Sequence, residues 1–208
     1  MKCLRILDGA IEYPFALQTL AVENPNTSFP VLPSDDVLAE YGVYTVEPSE
    51  EPRGHIGVDV VLDTPELVNG IWRERWKKVP VGQAEVAVRI EGLCAEVDDA
   101  VARIYTSVGR YSEEYKLREL QAQEFQAGNY GGPVPRQVAA FANRAGVPSK
   151  YATDLILSQA QQLRAALDDL GDLRMRKYEI RRAPTPEMAQ AAYDEIMAVV
   201  TAIGASLE

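Results

Sequence analysis

The sequence predicts an α+β N-terminal module over residues 1–80, followed by a mainly α-helical region over residues 81–208. Prolines and turn-forming dipeptides are frequent in the first part, whereas residues 83–127 contain no proline. In the second part, apolar residues recur at alternating steps of three and four, which is the spacing of one helix face. We therefore expect an elongated long-helix region there, forming either a coiled coil or a helical bundle.

Two β-hairpins are predicted in the N-terminal module. Asp8-Gly9 and Asn69-Gly70 each separate two short runs of strand-forming residues. Both dipeptides favour the positive φ angles that a two-residue hairpin turn requires. The module should therefore begin and end with a pair of antiparallel strands.

Two short helices are expected between these hairpins. Residues 16–23 carry apolar side chains at helical spacing, and Pro25 ends that pattern. Ser34 is a suitable N-cap for a second helix over 35–41, which Gly42 would end. The result is a small module of two hairpins and two short helices.

The second half of the chain is predicted to contain two long and two shorter helices. Their expected spans are 83–127, 136–145, 150–180 and 186–204. As one straight rod the first would be roughly 65 Å long, whereas a compact chain of this length has a radius of gyration of about 17 Å. This helix must therefore bend at Gly92 or Gly109, or belong to an elongated protein that packs against partner chains.

Composition and charge exclude several classes of protein. The formal net charge of −10 opposes nucleic-acid binding, because phosphate backbones attract a basic surface. No apolar run approaches the ~20 residues that cross a bilayer, and the N-terminus lacks a signal peptide's apolar stretch. Cys3 and Cys94 are far apart and form no zinc-binding pattern. We expect a soluble protein that binds neither nucleic acid nor membrane.

Two stretches of the sequence resemble small tail proteins of tailed bacteriophages. The first reads YPFALQTLAVENPNTSFPVLPSDDVLAEYGVYTV at residues 13–46 and continues with VNGIWRERW at residues 68–76. The second begins at Val134 and reads VPRQVAAFANRAGVPSKYATDLILSQAQQLRAALDDLGDLRMRKYEI. It is similar to a helical C-terminal region of such proteins. Together the two stretches cover most of the chain.

The resemblance implies a virion structural protein of the tail, associated with the baseplate or a tail fibre. Such a protein would act as a connector through contacts with other tail, baseplate or fibre proteins. A homo-oligomer is expected, and a trimer would suit a fibre axis. The protein would reside in the virion tail and, during assembly, in the host cytoplasm. The alternative is a tail-fibre assembly chaperone that is absent from the mature virion.

Three groups of residues are candidate interaction surfaces. The aromatic group is either the core of the module or a docking surface, and it comprises Phe29, Tyr41, Tyr44, Trp72 and Trp76. The apolar seam is a candidate contact between copies, and it comprises Val86, Ile90, Leu93, Val97, Ile104, Val108, Tyr111 and Tyr115. The basic cluster either complements a helix dipole or docks an acidic neighbour, and it comprises Arg174, Arg176, Lys177, Arg181 and Arg182.

No catalytic, metal or cofactor site is predicted. His55 is the only histidine, and it lies in a loop over 47–57 without a second histidine or a nucleophile motif. The glycine-rich stretch 128–132 lacks the Lys and Ser or Thr of a phosphate-binding loop, so it is interpreted as a turn. We expect a protein that is not an enzyme. A wall-degrading tail hydrolase is the enzymatic alternative.

Overall fold

The structure is a computed structural model that describes residues 1–207. The chain forms two compact units, Met1–Gly82 and Gln83–Glu208. The first unit contains a β-sheet and two short helices, and the described part of the second contains helices only. An N-terminal sheet followed by helices agrees with the predicted fold class. Within residues 1–207, no helix is both long enough and apolar enough to span a bilayer.

The first unit is built on a five-stranded sheet. In chain order the strands are β1 (Lys2–Leu7), β2 (Ala10–Phe15), β3 (Val43–Glu47), β4 (Val58–Val68) and β5 (Ile71–Pro80). In space they follow the order β2-β1-β3-β5-β4. Neighbouring strands are antiparallel, except that β3 and β5 run parallel. The edge strand β2 also contacts the opposite edge strand β4, so the sheet is curved.

Both predicted hairpins are confirmed. Asp8 and Gly9 have φ angles of 53° and 81°, and Asn69 and Gly70 have φ angles of 52° and 81°. Positive φ at both central residues is what a type I′ turn requires, and its twist matches that of the strands it joins. The two turns therefore connect β1 to β2 and β4 to β5.

Two short helices, α1 (Gln18–Glu23) and α2 (Asp35–Glu40), contribute to one core of the first unit. That core contains Cys3, Phe15, Leu20, Leu38 and Val43. Leu20 and Leu38 belong to the helices, and the other three residues belong to the strands. One face of the sheet is therefore covered by α1 and α2.

The ends of α2 agree only in part with the prediction. Ser34 occupies the N-cap position, but its side chain makes no capping hydrogen bond. Gly42 follows the helix with a φ of 67°, which favours glycine. A Cβ at this position would lie 2.6 Å from the carbonyl oxygen of Ile6, so glycine is needed for space as well.

The second unit consists of six helices within its described residues. They are α3 (Gln83–Gly109), α4 (Ser112–Ala127), α5 (Arg136–Ala145), α6 (Ser149–Met175), α7 (Lys177–Arg182) and α8 (Pro186–Ser206). The helix predicted over 83–127 is interrupted between Gly109 and Ser112, at one of the two glycines where a bend was expected. Tyr111 in that break has a φ of −121°. Gly92, the other expected bend, lies inside α3.

The helices of the second unit enclose two groups of buried residues. The first group joins α4, α5 and the start of α6, and it contains Ala122, Phe125, Val138, Ala142, Ala152 and Ile156. In the second region α3 contacts α6, α7 and α8. Its buried residues include Val97, Val101, Leu170, Ile180, Ile196 and Val200. The predicted elongated coiled coil is not confirmed, because α3 packs against helices of its own chain.

Candidate interaction surfaces

On the face of the sheet opposite α1 and α2, strand β5 carries a buried carboxylate. This is Glu74, whose side chain is 1% exposed. Lys2 Nζ and Tyr13 Oη each donate a hydrogen bond of 2.6 Å to Glu74 Oε1. The Ser49 backbone N–H donates to Oε2 over 3.3 Å, and Ser49 Oγ donates to the Glu74 carbonyl over 2.8 Å. The carboxylate therefore connects β1, β2 and the loop after β3 to β5.

The electrostatics of this cluster keep Glu74 ionised. The hydrogen bond from Lys2 is the main cause that holds the pKa of Glu74 below its ordinary value, and the bonds from Tyr13 and Ser49 act in the same direction. Burial opposes them and is outweighed. For Tyr13, burial first and then the Glu74 hydrogen bond raise the pKa. Because the ionised carboxylate accepts hydrogen bonds from Lys2, Tyr13 and Ser49, it connects β5 to three other segments of the chain.

The aromatic group does not form one surface. Phe29 packs edge-on against Tyr41, with ring centroids 5.1 Å apart, beside the core under α1 and α2. Tyr44 lies on the other face of β3, because neighbouring strand residues point to opposite faces and Val43 belongs to that core. There Tyr44 contacts Trp72 at a centroid distance of 6.3 Å.

Trp72 and Trp76 lie on the Glu74 face of β5 and are half-buried. The predicted alternation along this strand is confirmed, because Arg73 and Arg75 are exposed between them. The buried Trp76 Nε1–H has no hydrogen-bond partner among the described residues. The two indoles therefore pack within the module and leave only part of their surface to a partner.

Two of the three most exposed apolar residues of the first unit lie in one loop, outside the aromatic group. Val31 is 98% exposed and Leu32 is 75% exposed in the loop between α1 and α2. Sequence periodicity missed them because the loop has none. The signal that could have found them is the sequence Pro-Val-Leu-Pro, in which two prolines enclose an apolar pair that no strand or helix pattern places in a core.

The apolar seam is divided by the structure. Leu93 and Val97 are buried, and α3, which carries them, contacts α6, α7 and α8. The seam residues with intermediate exposure are Val86, Ile90, Ile104 and Val108. Tyr111 and Tyr115 are exposed and contact each other at a centroid distance of 6.4 Å. Exposed side chains of the seam are therefore found only at its C-terminal end.

Four of the five members of the basic cluster pair with carboxylates of the same chain, and the fifth, Arg182, is exposed. Arg174 Nε donates to Asp98 Oδ1 over 2.8 Å, and Lys177 Nζ donates to Asp98 Oδ2 over 2.5 Å. Arg181 donates two hydrogen bonds, of 2.9 and 2.6 Å, to the carboxylate oxygens of Glu91. The guanidinium of Arg176 pairs with carboxylates of α7 and α8. The predicted dock for an acidic neighbour is thus largely occupied by α3, α7 and α8.

These pairs shift the pKa values of their members. The Lys177 hydrogen bond is the main cause that lowers the pKa of Asp98, and the Arg181 hydrogen bond lowers that of Glu91. Tyr193 on α8 donates to Glu96 on α3. Burial, followed by that hydrogen bond, raises the pKa of Tyr193 to about 12. The contact between α3 and the C-terminal helices therefore has a polar border around its apolar centre.

His55 and the glycine-rich stretch 128–132 have local structural roles. His55 is half-buried, and its Nδ1 accepts a hydrogen bond from the Gly57 N–H over 3.2 Å. Ile56 beside it is buried, so the loop over 47–57 is less solvated than predicted. Residues 128–132 form a turn, in which Tyr130 donates to Asp154 over 2.6 Å. Among residues 1–207, no group of three His, Cys, Asp or Glu residues is arranged to hold a metal ion.

Comparison with known proteins connects the chain to a bacteriophage. It is 37% identical over 115 residues to an uncharacterized 23.3 kDa protein in the lys 3′ region of Haemophilus phage HP1 (strain HP1c1). The aligned part covers 55% of this chain and 58% of that relative. No family model matches the chain, and no solved structure matches it. The similarity supports a bacteriophage origin.

Proposed function

We propose that the chain is a structural protein of a bacteriophage tail, located at the baseplate or at the base of a tail fibre. It would connect neighbouring proteins through surface contacts, in the virion tail and, during assembly, in the host cytoplasm. The similarity to a phage protein supports the phage part of this proposal. The resemblance of residues 13–46 and 68–76 to tail proteins supports the tail part.

A contrast between two kinds of side chain supports the connector role. Carboxylates form hydrogen bonds within the chain, whereas large apolar side chains are exposed. The carboxylates of Glu74, Glu91 and Asp98 are all bonded to basic or hydroxyl groups of the chain. Large apolar side chains, in contrast, are exposed at several places. They include Val31, Leu32, Leu67, Ile71, Tyr111, Tyr115, Leu117 and Leu120. Where such residues adjoin, as Val31 does Leu32 and as Tyr111 contacts Tyr115, they form apolar surface that a partner protein can cover.

We also propose that the chain forms a homo-oligomer, through the C-terminal end of the apolar seam and not through the whole seam. Tyr111 and Tyr115 are exposed, and arginine side chains lie over both rings. Tyr and Arg are enriched at protein interfaces. Sedimentation of the purified chain and of a variant with both tyrosines changed to Ser tests this point. We expect the wild-type chain to self-associate and the variant to sediment as a monomer.

The particle composition separates the connector from the assembly chaperone. Purified phage particles should contain peptides of this chain at a constant ratio to a major tail protein across all gradient fractions. Lysate from infected cells serves as the control that the chain is made and detectable. Presence in the lysate with absence from the particles would favour the chaperone and contradict the structural role.

A further inference from the structure

The loop between α1 and α2 presents two aliphatic side chains to solvent. Val31 is 98% exposed and Leu32 is 75% exposed, at a bend in the chain. Neither residue is among the buried or partly buried members of the core beneath α1 and α2. Isolated exposed apolar residues are ordinary, but two adjacent ones at a bend form a small exposed apolar surface.

The loop is fixed at both ends. Pro30 and Pro33 restrict the backbone on either side of the apolar pair. Phe29 packs on Tyr41 with ring centroids 5.1 Å apart, so the chain entering the bend is attached to the core. The chain leaving it begins α2, where the Leu38 N–H donates to the Ser34 carbonyl over 3.0 Å. A loop held in one conformation loses less entropy when it binds.

The surroundings of the loop in the sequence carry one sign of charge. Between Arg5 and Arg53 there is no lysine or arginine. Of the acidic residues in this stretch, Glu12 and Glu23 pair with Arg5 and Glu47 pairs with Arg73, and the other six are Asp8, Asp35, Asp36, Glu40, Glu50 and Glu51. Asp36 and Glu40 are exposed on α2, directly after the loop. Charge complementarity therefore favours a partner with a basic surface.

We propose that Val31 and Leu32 insert into an apolar pocket with a basic rim on a neighbouring protein of the particle. This inference rests on the proposed function and identifies the contact through which the first unit attaches. A second copy of the chain is the less suitable occupant. A second copy has the same net charge of −10, which opposes docking to an acidic surface, and Arg73 and Arg75 on its β5 already pair with Glu47 and Asp63.

The test uses full-length variants supplied to a phage that lacks the gene. Val31→Ser combined with Leu32→Ser removes the exposed apolar side chains of the loop. Val22→Ser is the matched control, because Val22 is 78% exposed on α1. We expect the double variant to be at least about ten-fold depleted in purified particles, and Val22→Ser to be incorporated like the wild type. Unchanged tryptophan fluorescence and circular dichroism would show that both variants are folded.

The outcomes distinguish this inference from the proposed function. Incorporation of the double variant at the wild-type level would overturn the docking role while the structural role stands. Absence of the wild-type chain from particles would instead overturn the structural role and, with it, the docking. If the double variant converts an oligomer of the purified chain into a monomer, the occupant is a second copy and the proposed partner is wrong.

A charge variant tests the basic rim separately. Asp36→Lys with Glu40→Lys reverses the charge next to the loop, and Glu50→Lys with Glu51→Lys makes the same change elsewhere in the acidic stretch. We expect the first pair to reduce incorporation several-fold and the second to leave it unchanged. Equal effects of the two pairs, or no effect of either, would overturn a basic rim at this contact.

Discussion

The two units use charged side chains in opposite ways. In the first, one carboxylate, Glu74, lies in the sheet with its side chain 1% exposed and connects four segments of the chain. In the second, the pairs between α3 and α7 lie at the border of an apolar contact, and the side chain of Asp98 is 36% exposed. A buried charge must keep its partners, whereas an exposed one can return to water. The first unit should therefore depend strongly on one residue, and the second weakly on several.

The largest expected effect follows from this difference. Glu74→Ala leaves the Tyr13 hydroxyl and the Ser49 N–H without their acceptor, and we expect the first unit to lose about 3 kcal/mol of unfolding free energy. Both tryptophans, Trp72 and Trp76, belong to this unit, so urea unfolding followed by tryptophan fluorescence measures it selectively. A loss below about 1 kcal/mol would show that the buried carboxylate is not the main tie.

Glu74 should contribute to the pH dependence of the same unit. Because its folded pKa is lowered, its contribution is present above the ordinary glutamate pKa of about 4.3 and is lost as the pH falls through the folded value. Glu74→Gln cannot titrate, so its fluorescence-detected stability should fall less steeply between neutral and acid pH than that of the wild type. Parallel curves for the two proteins would contradict this assignment.

Two glycines with the same backbone angle provide a matched comparison of the units. Gly42 and Gly146 both have a φ of 67°, but a Cβ at Gly42 would lie 2.6 Å from a carbonyl oxygen, whereas a Cβ at Gly146 would have nothing within 4 Å. Gly146→Ala should therefore cost about 1 kcal/mol through backbone strain alone. Gly42→Ala should cost at least about 2 kcal/mol, because the clash adds to that strain. Urea unfolding by fluorescence for Gly42 and by circular dichroism for Gly146 measures both, and equal losses would argue against the close approach.

The smallest effect is expected at the partly exposed pairs of the second unit. Asp98→Asn weakens the interaction with Arg174 and Lys177, which should cost below about 1 kcal/mol at low salt. Added salt screens such pairs, so the difference from the wild type should disappear near 1 M salt. Helix unfolding followed by circular dichroism measures this. A cost that persists at high salt would show that Asp98 behaves as a buried charge, like Glu74.

The sequence predicted the local features well because their causes are local. Asp8-Gly9 and Asn69-Gly70 determine hairpins through their own backbone preferences, and the spacing of 136–145 predicted α5 at its observed bounds. The parallel pairing of β3 with β5 has no such signature, because it joins segments that are distant in the chain. The break before Ser112 was one of several outcomes that the heptad-like spacing allowed.

The candidate surfaces were harder to predict than the elements. Periodicity located the seam, but it does not say whether the cover for Leu93 and Val97 comes from the same chain or from another. Alternation placed Glu74 between two tryptophans, yet its burial depends on Lys2 and Tyr13, which belong to other strands. Val31 and Leu32 follow no period. Their exposure is a property of the folded loop and has no periodic signal in the sequence.

An electron cryomicroscopy reconstruction of the phage tail would show whether this chain is a tail component and what its loop between α1 and α2 contacts. We expect density for this chain at the baseplate or fibre base, with Val31 and Leu32 seated in an apolar pocket of a neighbouring protein. Basic side chains of that neighbour should face α2. A complete tail reconstruction without this chain, or one in which the loop faces solvent, would contradict this expectation.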